Sequence, residues 1–167
     1  MIPIFDNTEY QILNLLNTSK KIIFQGKRTD NGKWAEGYYF TKAYSIGTLE
    51  EYWAHMIKDI ETGIEYEVHG NTVSIYLGFD DEDGNKIFLH DVVMYNSINH
   101  RAAIIFYDPN ILSLRMFDDI WQKSQDILEL KCSKIRRLGS AHDLTDDQIK
   151  TVIQGEAKFI DLFKLED

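Results

Sequence analysis

The sequence predicts an α+β fold that is rich in β-strands. Eight segments enriched in Ile, Val, Tyr and Phe are separated by turn residues such as Asp30-Asn31-Gly32 and Asp83-Gly84-Asn85. Short strands joined by tight turns indicate antiparallel pairing, and three Thr-x-x-Gln/Glu patterns are typical of helix starts. We therefore expect a strongly bent antiparallel sheet or a partly open barrel, with amphipathic helices packed on it.

The eight predicted strands lie between residue 21 and residue 138. They lie at about 21–26, 35–41, 64–69, 72–78, 86–95, 101–107, 111–117 and 130–138. Apolar residues at helical spacing predict a helix over 118–129. Thr8 with Gln11 predicts a helix over about 9–17, and Thr145 with Gln148 predicts a C-terminal helix.

The strongest helical pattern lies inside the chain. Thr48 and Glu51 form a capping box, Gly63 suits a helix end, and a helix is predicted over 49–61. One continuous apolar face follows at the required spacing, made of Leu49, Tyr52, Trp53, Met56, Ile57 and Ile60. Packing of this face on the protein's own sheet is the favoured interpretation, and contact with a partner chain is the alternative.

Length and charge limit the classes of protein to which this chain belongs. Its 167 residues match one domain, with no internal repeat or linker. The chain has 18 basic and 27 acidic residues, so its net charge of -9 disfavours general attraction to nucleic acid or to anionic membrane. A single cysteine, Cys132, fits a reducing compartment, and no signal peptide or membrane span is predicted. We expect a cytoplasmic protein.

Two short motifs resemble phosphate and calcium loops, but both lack required residues. Gly26-Lys27 is followed by Arg28 instead of Ser or Thr, and Lys21 stands where a phosphate loop needs glycine. The acidic cluster Asp80-Asp81-Glu82-Asp83 precedes Gly84, but a calcium loop in that register would begin at Phe79 and end at His90. An acidic hairpin tip is the preferred interpretation, and no cofactor or metal is expected.

The histidines and the cysteine carry no catalytic signature. The five histidines show no pair at i, i+4 spacing and no HExxH motif. An enzyme whose residues converge only in space, such as His90, Asp91 and Cys132, is an alternative. We expect a protein that is not an enzyme.

A basic cluster lies near the C-terminal part of the predicted sheet and comprises Lys131, Lys134, Arg136 and Arg137. Strand alternation places these charges on both faces, so they do not form one stripe that follows a phosphate backbone. Pairing with the surplus acidic residues is favoured. Nucleic-acid contact, helped by aromatic residues such as Trp34 or Tyr38, is the alternative.

Four segments of the chain resemble the YopX family of phage and prophage proteins. They are "FQGKRTDNGKWAEGY" at 24–38, "VSIYLGFDDEDGNKIFLHDVVMY" at 73–95, "AAIIFYD" at 102–108 and "KIRRLGSAHD" at 134–143. The chain departs from the family pattern at His90, where glycine is usual before Asp91-Val92-Val93. It also departs at 137–140, where Arg-Leu-Gly-Ser replaces an Ile-Gly-Asn type of turn.

The resemblance covers about residues 22–143 and leaves a helix at 1–20 and a helical extension at 145–167. It implies a phage or prophage origin, a bacterial cytoplasm and a β-rich fold similar to small SH3-like barrels. It implies no reaction and transfers no catalytic residue.

The favoured function is therefore that of a non-enzymatic accessory protein that binds a host or phage protein, such as a host nuclease or defence factor. The predicted partner-binding residues are Tyr52, Trp53, Met56, Asp80, Asp81, Glu82 and Asp83. The alternatives are a nucleic-acid-binding small β-barrel and a structural homo-oligomer.

Overall fold

The computed structural model describes residues 22–46, 50–95, 101–108, 113–117, 125–126 and 135–153. The chain divides into two compact units, Met1–Tyr76 and Leu77–Asp167. The described part is dominated by antiparallel sheets, as the strand-rich sequence predicted. The expectation of one domain over residues 1–167 stays a prediction.

The first unit is an antiparallel sheet in the order β4-β3-β2-β1-β5. Alternating aromatic and β-branched residues favour these strands, and the Gly-containing turns between them separate the runs. The strands are β1 (Phe24–Lys27), β2 (Trp34–Ile46), β3 (Glu50–Lys58), β4 (Glu65–Val68) and β5 (Ser74–Asp80), of which β5 continues into the second unit.

The turn between β1 and β2 confirms the hairpin that the Asp30-Asn31-Gly32 motif predicted. Gly32 has a φ of 69°, a conformation that glycine adopts without a steric penalty. The Asn31 side chain accepts a hydrogen bond of 2.9 Å from the Lys33 amide, and the Arg28 amide donates to the Lys33 carbonyl at 2.8 Å. The local chemistry of the turn therefore sets the register of the hairpin.

The sheet of the first unit bends until the end of β4 meets the end of β1. An isolated bridge joins Arg28 to Val68, and the His69 amide donates to the Lys27 carbonyl at 2.8 Å. The Thr72 hydroxyl holds the same corner by accepting from the Lys27 amide at 2.9 Å. The described strands do not close a barrel.

Gly26 lies over the apolar core of this bend. Ile57 and Val68 are buried there together with Ala35. A Cβ atom on Gly26 would lie 3.1 Å from side-chain carbons of both Ile57 and Val68, closer than ordinary packing allows. Gly26 therefore has a packing role in this bend.

The second unit contains a five-stranded antiparallel sheet in the order β10-β9-β8-β7-β11, and β6 lies beside β5. Val92 and Ala102 form its described apolar cluster with Ala141. The remaining elements are β6 (Lys86–Phe88), β7 (Asp91–Tyr95), β8 (Arg101–Asp108), β9 (Ser113–Phe117), β10 (Gln125–Asp126), β11 (Ile135–Ser140) and the helix α1 (Asp146–Ile153).

The capping box that predicted α1 is confirmed in both of its hydrogen bonds. The Thr145 amide donates to the Gln148 side-chain oxygen at 2.8 Å, and the Gln148 amide donates to the Thr145 hydroxyl at 3.3 Å. The reciprocal bonds satisfy two amides that a helix start would otherwise leave without partners.

The helix predicted over 49–61 is wrong, because residues 50–58 form β3. Nine consecutive residues of β3 pair with β2, from Tyr38 opposite Lys58 to Ile46 opposite Glu50. Cross-strand pairing with an aromatic-rich neighbour outweighs a helical spacing that aromatic and β-branched residues support only weakly. Gly63, expected as a helix end, has a φ of 71° in the turn after β3.

Two other predicted helices fall mainly or wholly outside the described residues. The segment 9–17 is outside them, and of 118–129 only Gln125–Asp126 is described, as a strand paired with β9. The predicted strand 86–95 is divided in two at His90, whose φ of 67° is incompatible with a continuous strand.

We expect Gly37→Ala to destabilise the first unit severely. An ideal Cβ at this position would overlap the carbonyl oxygen of Lys58, so the backbones of neighbouring strands would have to separate. The expected loss of unfolding free energy is at least about 2 kcal/mol, measured by chemical denaturation. Gly32→Ala is the matched control, since its Cβ would meet open space and only its positive φ costs about 1 kcal/mol. Equal losses in the two variants would contradict this account.

Candidate binding surface

The outer halves of β2 and β3 form a two-stranded arm, which we define as residues 41–46 and 50–54. β1 pairs only with residues 34–37 of β2, and β4 pairs only with residues 55–58 of β3. Within the described part of the chain, the arm strands pair only with each other. The arm therefore continues past the strands on either side, and no described strand lies beside its two backbone edges, which can accept a further strand.

The arm has an aromatic residue pair on one of its faces. Tyr44 lies opposite Tyr52, and the two rings stack with centroids 5.3 Å apart and planes inclined by 17°. The Lys42 ammonium lies 5.6 Å from the centre of the Tyr44 ring, within range of a cation–π contact. The same ammonium lies 3.5 Å from the Glu65 carboxylate of β4, so contacts within the arm and with the neighbouring strand order this face.

Trp53 dominates the opposite face of the arm. Its side chain is 62% exposed, and Tyr52, next to it in β3, is 42% exposed. Trp53 lies opposite Ala43, whose small side chain leaves the indole uncovered. Two large aromatic side chains held on a regular strand form the most apolar exposed part of the described arm.

The base of the arm is held by polar contacts. The Tyr39 hydroxyl and His55 Nδ1 lie 2.6 Å apart in a hydrogen bond, and the two rings stack at 5.9 Å. Gly70 lies directly beneath the His55 ring, where any side chain would collide with it. The arm therefore leaves the sheet from a fixed base, although its outer part lacks flanking strands.

Met56 does not belong to the exposed surface that the sequence predicted. It is 5% exposed, because it lies in the part of β3 that has β2 on one side and β4 on the other, whereas Trp53 lies in the arm beyond β4. The structure thus keeps Tyr52 and Trp53 as candidate contacts and removes Met56. It adds Tyr44, which the sequence analysis missed because pairing across a hairpin depends on register.

The acidic loop at 80–83 is a structural element rather than a free charged surface. Asp81 is buried, and its carboxylate accepts from the amides of Asp83, Asn85 and Arg137 at 2.8–2.9 Å. Although burial by itself raises the pKa of this carboxyl, these hydrogen bonds bring the pKa below its usual value. Asp81 therefore holds the loop together, and its role as a partner contact stays a prediction that its burial does not favour.

The other acids of this loop include two that neutralise Arg136. Its guanidinium lies 3.3 Å from the Glu82 carboxylate and 3.0 Å from the Asp83 carboxylate. Asp80 is exposed at the end of β5 and also has an interaction partner. These groups lie at the surface but are engaged within the unit, so the loop does not present four free carboxylates.

Arg137 makes the most buried ion pair of the described residues. Its guanidinium donates to the fully buried Asp91 carboxylate at 2.6 and 3.2 Å and lies over the Phe88 ring. The Phe88 amide donates to the same carboxylate at 2.8 Å. The arginine half of the predicted basic cluster is thus paired with acids, whereas Lys131 and Lys134 lie outside the described residues.

A histidine pair that the sequence analysis did not foresee joins the turn before β7 to the residues after β11. His90 Nδ1 and His142 Nε2 are 3.3 Å apart, and the rings meet edge to face. Burial, aided by the neighbouring His142, lowers the pKa of His90 to about 4. The side chain of His90 is therefore neutral near pH 7 and shares one hydrogen bond with His142.

The described part of the chain does not assemble the alternative catalytic group. Asp91 is engaged by Arg137, and Cys132 lies outside the described residues. Among the described residues, no three His, Cys, Asp or Glu side chains are grouped to hold a metal ion. Trp34 is half-buried beside Lys27, whose ammonium lies 6.0 Å from the ring, and Tyr38 is also half-buried.

We expect Asp91→Ala to cost about 3 kcal/mol of unfolding free energy. The change removes the carboxylate to which the Arg137 guanidinium and the Phe88 amide donate, so both donors lose this acceptor in the interior. Asp83→Ala is the control, because it removes only an exposed contact of Arg136, which Glu82 still neutralises, and should cost less than about 1 kcal/mol. Denaturant titration of both variants measures the difference, and similar losses would contradict the structural role of Asp91.

We expect acid to weaken the fold through His90. Because its pKa falls from 6.5 to about 4 on folding, the unfolded chain binds the proton more readily, and stability declines as pH falls between these values. The loss from this group approaches about 3 kcal/mol at pH 4. His90→Gly, which also suits the φ of 67°, should flatten the pH profile of unfolding free energy.

The exposed His69 offers a control for this pH profile. His69→Ala should retain the slope of the wild-type protein between pH 6.5 and 4.5, since it leaves the contact between His90 and His142 in place. A wild-type slope in the His90→Gly variant would contradict the assignment.

No helix among the described residues is long and apolar enough to cross a membrane. No protein-family model matches the chain, and no curated protein or solved structure matches it significantly. The resemblance to the YopX family stays a prediction, and the arm is the candidate site that the geometry supports.

Proposed function

We propose that this chain is a non-enzymatic accessory protein of phage or prophage origin that binds another protein through its β2–β3 arm. The observation that carries the proposal is the pair of exposed aromatic residues, Tyr52 and Trp53, on a strand that extends past its sheet. Tryptophan and tyrosine are the side chains most enriched at the energetic centres of protein interfaces.

The backbone of the arm supports the same proposal. Residues 50–54 of β3 have no described partner on their outer side, so their edge can accept an extended segment of a partner. A strand added there would obtain affinity from backbone hydrogen bonds and from contact with Trp53. An isolated two-stranded ribbon is only marginally stable in water, so a third strand would also stabilise the arm.

The distribution of charge favours a protein partner over nucleic acid. The chain has a net charge of -9, and the described arginines of the basic cluster, Arg136 and Arg137, pair with acids of their own unit. An acidic protein in a bacterial cytoplasm can compete for a basic groove on a host nuclease or defence factor. Phosphate contacts would require cations that are not already neutralised.

Membership of the YopX family and an SH3-like fold are part of this proposal. The φ of 67° at His90 supports the family resemblance, because the family has glycine at the corresponding position. The bridge between Arg28 and Val68 supports a partly open barrel, since it brings β4, at one edge of the sheet, together with the end of β1 three strands away.

Capture from a nuclease-treated bacterial lysate tests the arm as the binding site. The immobilised wild-type chain should retain a protein that Trp53→Ala retains at least about tenfold less well, since loss of an interface anchor costs 2 kcal/mol or more. Ile64→Ala is the control, because this exposed apolar side chain lies in the turn after β3, outside the arm.

Two results would overturn the proposed function. One is equal retention of every protein by the wild-type chain and by Trp53→Ala. The other is binding of DNA or RNA that falls steeply as salt rises, which would establish the nucleic-acid alternative.

A further inference from the structure

We infer that the strand added to the free edge of β3 is the same edge of a second copy of this chain, so that two arms form one four-stranded sheet around a two-fold axis. The inference rests on the proposed function, because it names the occupant of that arm. It commits to residues 50–54 as the contact and to an antiparallel pairing centred on Tyr52.

The length of the free edge suits a second copy. The edge ends at His55, where β4 begins to pair with β3. Along the described part of this edge, an added strand can therefore pair with five residues before it meets β4. In a two-fold pairing each chain contributes the same five residues. Neither copy leaves part of this edge unpaired.

The aromatic pair on one face of the arm continues across the proposed axis. Tyr44 already stacks on Tyr52 from the neighbouring strand at 5.3 Å. A pairing centred on Tyr52 places it opposite the partner's Tyr52, about one strand spacing of 4.8 Å away. The partner's Tyr44 follows on the far side. Four tyrosines would then form one continuous row, and aromatic cross-strand pairs of this kind stabilise sheets.

On the opposite face the same pairing covers Trp53. The residue opposite Trp53 becomes the partner's Glu51, whose methylene groups can lie against the indole while its carboxylate remains in water. By symmetry, Glu51 lies opposite the partner's Trp53. No two carboxylates face each other in this register, although the edge contains two glutamates. Like charges directly opposite would oppose pairing, so their absence favours this register.

The other edge of the arm is less suitable for a second copy. A symmetric pairing of β2 centred on Lys42 would place two lysines opposite each other, and the ammonium of each is already engaged by Glu65 of its own copy at 3.5 Å. The exposed large apolar side chains of the described arm, Tyr52 and Trp53, both belong to β3. Lysine on an outer strand is a feature that discourages edge-to-edge association. Pairing through β3 therefore leaves the Lys42-bearing edges outermost and ends the assembly at two copies.

The contact is small, since five residues from each chain are fewer than a standard interface contains. We therefore expect a dissociation constant in the micromolar range. Sedimentation velocity of the full chain should show a monomer that converts to a dimer as its concentration rises through that range. Trp53→Lys should raise the dissociation constant at least tenfold, and circular dichroism should show that the sheet is retained.

A cysteine at the proposed axis gives a sharper test. Cys132 is the only cysteine, so Cys132→Ser provides a background without thiols. In that background Tyr52→Cys would place two thiols on opposed residues, whose Cβ atoms are about 4.5–5.5 Å apart in such pairs, close to the range of a disulfide. Mild oxidation should give a covalent dimer at micromolar protein. Ala43→Cys, on the exposed outer strand of the same arm, is the control and should form at least tenfold less dimer.

The outcomes separate this inference from the proposed function. A chain that stays monomeric at millimolar concentration, or equal cross-linking of Tyr52→Cys and Ala43→Cys, overturns the second copy. If such a monomer still captures another protein in a Trp53-dependent way, the arm remains a binding site for a different partner. If Trp53 affects neither dimerisation nor capture, both proposals fail.

Discussion

The nine-residue backbone ladder between β2 and β3 is the interaction on which the candidate site depends. It pairs Tyr38 through Ile46 with the whole of β3, whereas the strands on either side pair with only four residues each. This difference in length produces an arm whose two edges have no strand beside them among the described residues. On one face it places Tyr44 against Tyr52, and on the opposite face it leaves Trp53 uncovered. Without the ladder these aromatic residues would not be held on one ribbon.

In the second unit, two acidic side chains are buried and structural, whereas the sequence analysis expected an exposed acidic loop. Asp81 organises its loop through backbone amides, and Asp91 holds the Arg137 guanidinium in the interior. A buried carboxylate is tolerated only when hydrogen bonds and an opposite charge replace its hydration. The acids and arginines that suggested docking surfaces for a partner or for nucleic acid therefore mainly stabilise the unit itself. This leaves the arm as the most accessible apolar feature of the described residues.

Local signals in the sequence predicted several elements correctly. The Asp30-Asn31-Gly32 turn, the helix start at Thr145 and most strand positions depend on interactions within a few residues, so short motifs specify them. The helix predicted over 49–61 is wrong because long-range contacts, and not local ones, decide the conformation of this segment. Its apolar residues fit a helical face, but the cross-strand neighbours that decide its conformation lie up to twenty residues earlier in the chain. The division of the strand at His90 was likewise hidden, because a non-glycine residue at positive φ carries no sequence signature.

The β-rich composition, the acidic charge, the tight turns and the capping box of α1 can be read from the sequence, because each follows from residue chemistry or from neighbours in the chain. The exposure of Trp53, the burial of Met56, the structural roles of Asp81 and Asp91 and the contact between His90 and His142 emerge in the folded chain alone. These outcomes depend on strand register and on contacts between residues distant in sequence. A shift of one residue in the ladder would reverse the faces of the arm, and no local pattern specifies that register.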